Sequence, residues 1–177
     1  TYMFREATAF NQDISTKTVT RNGTTYTAWD VSNIKYMSYT FQDATAFNQD
    51  ISNWDMSTIE SFNGIFWGAT AFNQDISTKT VTRSNGTTYT AWNVSKVENM
   101  YATFHKAEAF DQPIGNWDVS NVKYMGWMFH GAHVFNRYIS GWNTSKVENM
   151  GEMFMDARVF NQDISTWNTS NVTNMAD

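Results

Sequence analysis

Apolar residues return along this chain in a fixed order. Between residues 34 and 56 they fall at Ile34, Met37, Phe41, Ala44, Phe47, Ile51, Trp54 and Met56. The first four, spaced three, four and three apart, predict one face of a short helix. Trp54 and Met56 alternate around Asp55 as in a short, half-buried strand. Ser32 stands where an N-cap belongs, and Ser57/Glu60, Ser95/Glu98 and Ser145/Glu148 have the S-x-x-E spacing of a capping box. The helix is expected to end at the small-residue steps Asp43-Ala44, Gly68-Ala69 and Gly131-Ala132.

The same order then repeats. Trp29, Trp54, Trp92, Trp117, Trp142 and Trp167 are separated by 25, 38, 25, 25 and 25 residues. Each is preceded by a Phe, at Phe10, Phe47, Phe72, Phe110, Phe135 and Phe160. Between them comes an Ile, at Ile14, Ile51, Ile76, Ile114, Ile139 and Ile164. A fixed period of this length marks a stacked-repeat protein, because one repeat cannot bury its own apolar face. The Trp and Phe series are therefore expected to form internal columns. Residues 1–177 read as one repeat domain with no room for a second. The chain begins inside one repeat, where Thr1 aligns with Ser38, and stops inside another, where Asp177 aligns with Tyr39. It is expected to be a piece of a longer protein.

Two insertions interrupt the period, at residues 16–28 and 78–91. Each is a Thr-rich run, an Asn-Gly step and a second Thr/Tyr run. Asn-Gly between β-branched runs predicts a hairpin, since a tight primed turn needs positive φ at its centre. The expected strands are Lys17 to Arg21 with Thr24 to Ala28, and Lys79 to Arg83 with Thr87 to Ala91. Insertions in repeat proteins fall on one face, which is often the binding face. Duplication of a pair of repeats accounts for the two hairpins equally well.

Charge and composition remove several function classes. A net charge of −5, with Lys and Arg scattered, offers no basic stripe for nucleic acid. No run of 18 apolar residues suggests membrane insertion of this segment. Cysteine is absent, which excludes thiol catalysis and thiolate metal sites. Ser and Asp recur in every repeat, as scaffolding positions do, and no phosphate loop, G-x-S-x-G or H-E-x-x-H motif occurs. No catalytic residue, cofactor or metal site is therefore expected. His105, His130 and His133 would approach one another on the helix side, yet no further ligand is fixed beside them except Glu108.

The phrase FNQDISNWDxSxxxxMxxxF, carried through all six repeats, resembles the bacterial BspA-like surface proteins, a branch of the leucine-rich-repeat class. The resemblance implies an α/β fold: an LRR-like right-handed solenoid of about six 25-residue coils, each a short parallel strand and a short helix, here with two inserted β-hairpins. It also implies an extracellular place on the bacterial cell surface and a non-enzymatic role in adhesion or protein binding. Ile59 stands where that class has Asn or Cys, so the usual Asn ladder is not expected at that turn.

Candidate binding residues come from two places. Asp30, Asp55, Asn93 and Asp118 should form an outward row on the exposed sheet face, either for binding or as a solvated hydrogen-bonded strip. Arg21, Tyr26, Arg83 and Tyr89 lie on the hairpins, and Arg and Tyr are frequent interface anchors. Trp67 and Trp127, outside the repeated core positions, suggest a glycan-binding module as an alternative. A structural stalk or self-assembling filament is another. The expected partner is a host or neighbouring-cell surface protein or glycan, or copies of the chain itself.

Overall fold

The computed structural model describes residues 1–176, so the alignment of Asp177 lies outside the described residues. Four strands are the regular elements among them: β1 (Lys17–Arg21), β2 (Thr24–Ala28), β3 (Lys79–Thr82) and β4 (Thr88–Ala91). They form two separate antiparallel hairpins, β1-β2 and β3-β4. The expected α/β leucine-rich-repeat-like solenoid, with a strand and a helix in each coil, is overturned. No helix occurs among the described residues, and each repeat contributes to parallel pairing only isolated bridges, from Tyr36–Ser61 to Asn149–Asn174. Among the described residues the stacked repeats accordingly present no parallel sheet face.

A series of turns takes the place of the helix. From Met37 to Asp43, the amides of Met37, Tyr39, Phe41 and Asp43 donate to Ser61, Asn63, Ile65 and Trp67 of the next repeat at 2.7–3.0 Å. The amides of Thr40, Gln42 and Ala44 donate three residues back, to Met37, Tyr39 and Phe41. An α-helix needs every amide for the carbonyl four residues earlier, and here alternate amides go to the neighbouring repeat. Tyr39 (φ 58°) and Asp43 (φ 55°) are left-handed, as the third residue of a type II turn must be. The same pair of positions is left-handed in all six repeats, at Tyr2/Glu6, Gly64/Gly68, Ala102/Lys106, Trp127/Gly131 and Glu152/Asp156 besides Tyr39/Asp43.

The signals that suggested helices thus have other uses. Asp43, Gly68 and Gly131 are left-handed turn residues rather than helix ends. At Gly68 a Cβ would lie 2.1 Å from Asp43 Oδ1, so any side chain there would have to displace the Asp43 carboxylate. Ser57 donates its amide to the Asp55 carboxylate at 3.2 Å. Glu60 and Glu98, read as capping-box partners, instead pair with Lys35 and Lys123 of adjacent repeats at 2.9 and 2.8 Å. Met37, Phe41, Ala44 and Phe47 are buried, whereas Ile34, counted on the same face, is 37 % exposed.

The repeats stack through three columns. Phe10, Phe47, Phe72, Phe110, Phe135 and Phe160 follow one another at 5.8–6.1 Å between ring centroids. Each also packs at 3.9–4.1 Å on a second Phe of its own repeat, from Phe4 to Phe154. Trp54, Trp92, Trp117 and Trp142 are buried, with Trp29 and Trp167 half-buried at either end. The column indoles of Trp54, Trp92, Trp117, Trp142 and Trp167 each donate Nε1–H to an Ile carbonyl of the preceding repeat at 2.9–3.2 Å, to Ile14, Ile51, Ile76, Ile114 and Ile139 in turn. A buried indole N–H and a buried carbonyl are both satisfied by this one bond.

An Asn ladder does exist, but at the FNQD corner. The side-chain oxygens of Asn11, Asn48, Asn73, Asp111 and Asn136 accept the amides of Asn48, Asn73, Asp111, Asn136 and Asn161 at 2.9–3.0 Å. These side chains therefore tie one repeat to the next instead of closing their own turn.

Candidate functional site between the hairpins

The hairpins arise where the sequence contains Asn-Gly, and the two tips differ for a countable reason. In the first, Asn22 (φ 52°) and Gly23 (φ 76°) make the two-residue primed turn. The second carries one extra residue, Ser84. There Arg83 N–H donates to Thr87 O at 2.7 Å, Gly86 N–H donates to Arg83 O at 2.9 Å, and Gly86 is left-handed (φ 81°). Thr87 N–H turns aside to Asn85 Oδ1 at 3.0 Å. Strands β3 and β4 therefore stop one residue short of Arg83 and Thr87, the ends expected from the sequence.

An asparagine from the following repeat clamps each hairpin neck. Asn53 accepts from Thr16 N–H at 3.4 Å and donates to Thr16 O at 2.9 Å. Asn116 does the same to Thr78, at 3.2 and 2.9 Å. Trp29 (φ 51°) and Trp92 (φ 48°) are left-handed where the chain returns from each hairpin into the stack, and their carbonyls accept Thr16 and Thr78 hydroxyls.

The second hairpin folds back onto the second repeat. Arg83 Nη2 is 2.8 Å from Asp55 Oδ2, and its guanidinium lies 4.1 Å over the Tyr89 ring. The Tyr89 hydroxyl donates to the Asn53 carbonyl, and Lys79 Nζ donates to Ser52 Oγ at 2.7 Å. Burial pushes the Tyr89 phenol upward. Because the hairpins leave from the first and third repeats, the second repeat floors a cleft between them. The cleft measures about 230 Å³, and its lining includes Thr16, Lys17, Thr18, Thr27, Asp30, Asn53, Asp55, Arg83, Asn85 and Tyr89. Asp30 accepts the Ser32 amide at 3.0 Å. The Ser32 hydroxyl and then that amide hold its carboxyl below the usual range, with Arg83 adding a smaller effect.

Of the residues singled out in the sequence, Asp30, Asp55, Arg83 and Tyr89 thus meet in one place. Asn93 and Asp118 remain outside, each accepting the amide of the Ser two residues on, Ser95 and Ser120. Asp30 and Asp55 hold the same kind of turn, so the row is turn chemistry of the type Asx residues provide. Arg21 and Tyr26 are exposed and do not line the cleft. Trp67 and Trp127 are half-buried and 6.3 Å apart, packed around His105 at 4.7 and 5.1 Å.

His105 is itself buried, 4.6 Å from the His130 ring, and burial and then His130 and Lys106 push it down to about 4. His133 instead pairs with Asp156 at 3.0 Å. Among the described residues, no group of three or more His, Asp or Glu side chains converges to hold a metal ion.

Asn53, Thr18, Thr27 and Asn85 were missed as site residues. A signal for Asn53 was present: Asn precedes the repeat Trp only at Asn53 and Asn116, in the two repeats that follow hairpins.

Residues 1–90 and 79–177 match the family model described as "Mycoplasma protein of unknown function, DUF285". No curated protein and no solved structure matches the chain. The two matched stretches together take in the whole sequence, and the chain therefore belongs to this Mycoplasma family, DUF285.

Proposed function

We propose that the chain is a non-enzymatic recognition scaffold of a bacterial surface protein of the BspA-like kind, serving adhesion to a neighbouring cell or host. The observation that carries this reading is the cleft, which converts two inserted hairpins and one uninserted repeat into a single walled surface. Rigid support favours recognition, since walls already fixed lose little freedom on binding. Here the Asn clamps and the Asp55–Arg83 pair supply that support.

The test compares the parent chain with a variant whose two insertions are cut back to the short Ser52-Asn53-Trp54 connection. Retention on immobilised host-cell surfaces should be lost in the variant, with the stack's thermal midpoint preserved. Equal retention by both chains would refute the reading.

A further inference from the structure

We infer that the inter-hairpin cleft takes a single neutral sugar ring, the exposed hexose of a surface glycan. This rests on the adhesive reading above and names its ligand.

Size comes first. At about 230 Å³ the cleft falls below the roughly 300–1,000 Å³ of sites for drug-sized ligands. That is room for one six-membered ring whose glycosidic bond leads out to solvent. A folded protein surface has nothing to insert there beyond one side chain.

Charge comes second. The lining carries Asp30 and Asp55 against Lys17 and Arg83, two of each sign. Asp55 is neutralised by Arg83 at 2.8 Å, and Lys17 by Asp13 at 2.6 Å. Asp30 is then the one lining charge without an ion-pair partner among the described residues, and an anionic ligand would meet its repulsion. A neutral ligand avoids that penalty.

Hydrogen-bonding capacity decides the class. Asp30 accepts from the Ser32 amide and hydroxyl and, as a carboxylate with two oxygens, keeps lone pairs for a further donor. The Thr18 and Thr27 side chains face each other across the β1-β2 register and make no hydrogen bond among the described residues. Asn85 engages its oxygen with Thr87, leaving its amide N–H groups to donate. Carboxylate, hydroxyl and amide groups together match vicinal sugar hydroxyls, each of which donates and accepts. A peptide side chain of similar size could not satisfy so many polar groups.

The test is isotope-edited NMR titration of the full chain with methyl glycosides of neutral hexoses, and with glucuronate and glucosamine as charged controls. Shifts should localise to Thr18, Thr27, Asp30 and Asn85 for at least one neutral glycoside, which binds more tightly than either charged sugar. Asp30→Ala and the isosteric double variant Thr18→Val, Thr27→Val should each weaken it by about tenfold or more. Unchanged spectra elsewhere would show that these variants fold. No shift with any neutral glycoside, or preferential binding of a charged sugar, would overturn the inference. Should the chain still adhere through its hairpins to enzymatically deglycosylated cells, the sugar inference fails and the adhesive reading stands. Should removal of the hairpins leave adhesion intact, the adhesive reading itself fails.

Discussion

Acidification provides the sharpest perturbation of the stack, because His105 is buried neutral. Its ring is 2 % exposed and enclosed by Trp67, Trp127 and the His130 ring, with Lys106 next to it in sequence and Glu152 3.5 Å from His130 Nδ1. Nδ1 of both His105 and His130 is buried without a hydrogen-bond partner. The unfolded chain protonates His105 near 6.5, the folded chain only near about 4. Below 6.5 the unfolded state therefore binds the extra proton, and stability falls with pH until about 4, where both states are protonated. At about 1.4 kcal/mol per pH unit, the whole window is worth about 3 kcal/mol.

The assay is urea unfolding at a series of pH values from 7.5 to 3.5 for the parent and for His105→Gln. Glutamine is a fair replacement, since Gln42 occupies the equivalent position of the second repeat and is buried. Titrating carboxylates act alike in both chains and cancel in the difference. The parent should lose about 3 kcal/mol more than the variant between pH 7 and pH 4. Parallel profiles would refute the reasoning.

Three further outcomes follow from the same geometry. Trp117→Phe removes the 2.9 Å bond to the Ile76 carbonyl and should cost about 1–3 kcal/mol in urea unfolding, more than Trp167→Phe at the half-buried end. Gly68→Ala must place a side chain at φ 66° against Asp43, costing at least about 1–2 kcal/mol; adding Asp43→Ala should recover only the clash, and full recovery would contradict the left-handed strain. Asn116→Ala should raise amide exchange in β3 and β4 about fivefold while leaving β1, β2 and the thermal midpoint alone, and equal loosening of both hairpins would disprove the clamp.

What the sequence disclosed was whatever one residue type decides alone. The Trp and Phe spacing announced columns, and Asn-Gly announced two hairpins, because each depends on a local or strictly periodic property. The path of the chain within a repeat was not readable in the same way. Spacings of three and four satisfy a helix face and an alternating series of turns alike, and the choice was made by backbone bonds to the next repeat. The left-handed positions were concealed for the same reason. Glycine marks Gly64, Gly68 and Gly131, but Tyr39, Ala102 and Trp127 occupy equivalent turns with no such marker. The cleft was half visible: Asp30, Asp55, Arg83 and Tyr89 were picked out for separate reasons, whereas Thr18, Thr27 and Asn85 become a wall only when two hairpins face one another.

The most direct test of the central claim, that two hairpins wall one recognition cleft, exploits the absence of cysteine. Lys17→Cys and Ser84→Cys place thiols on opposite walls of the cleft, at positions that make none of the inferred ligand hydrogen bonds. A short bifunctional maleimide should link them within one chain in native buffer, and the linked protein should lose surface retention that the unlinked variant keeps. Failure to form the intramolecular link, or a linked chain that adheres as well as the unlinked one, would contradict the account.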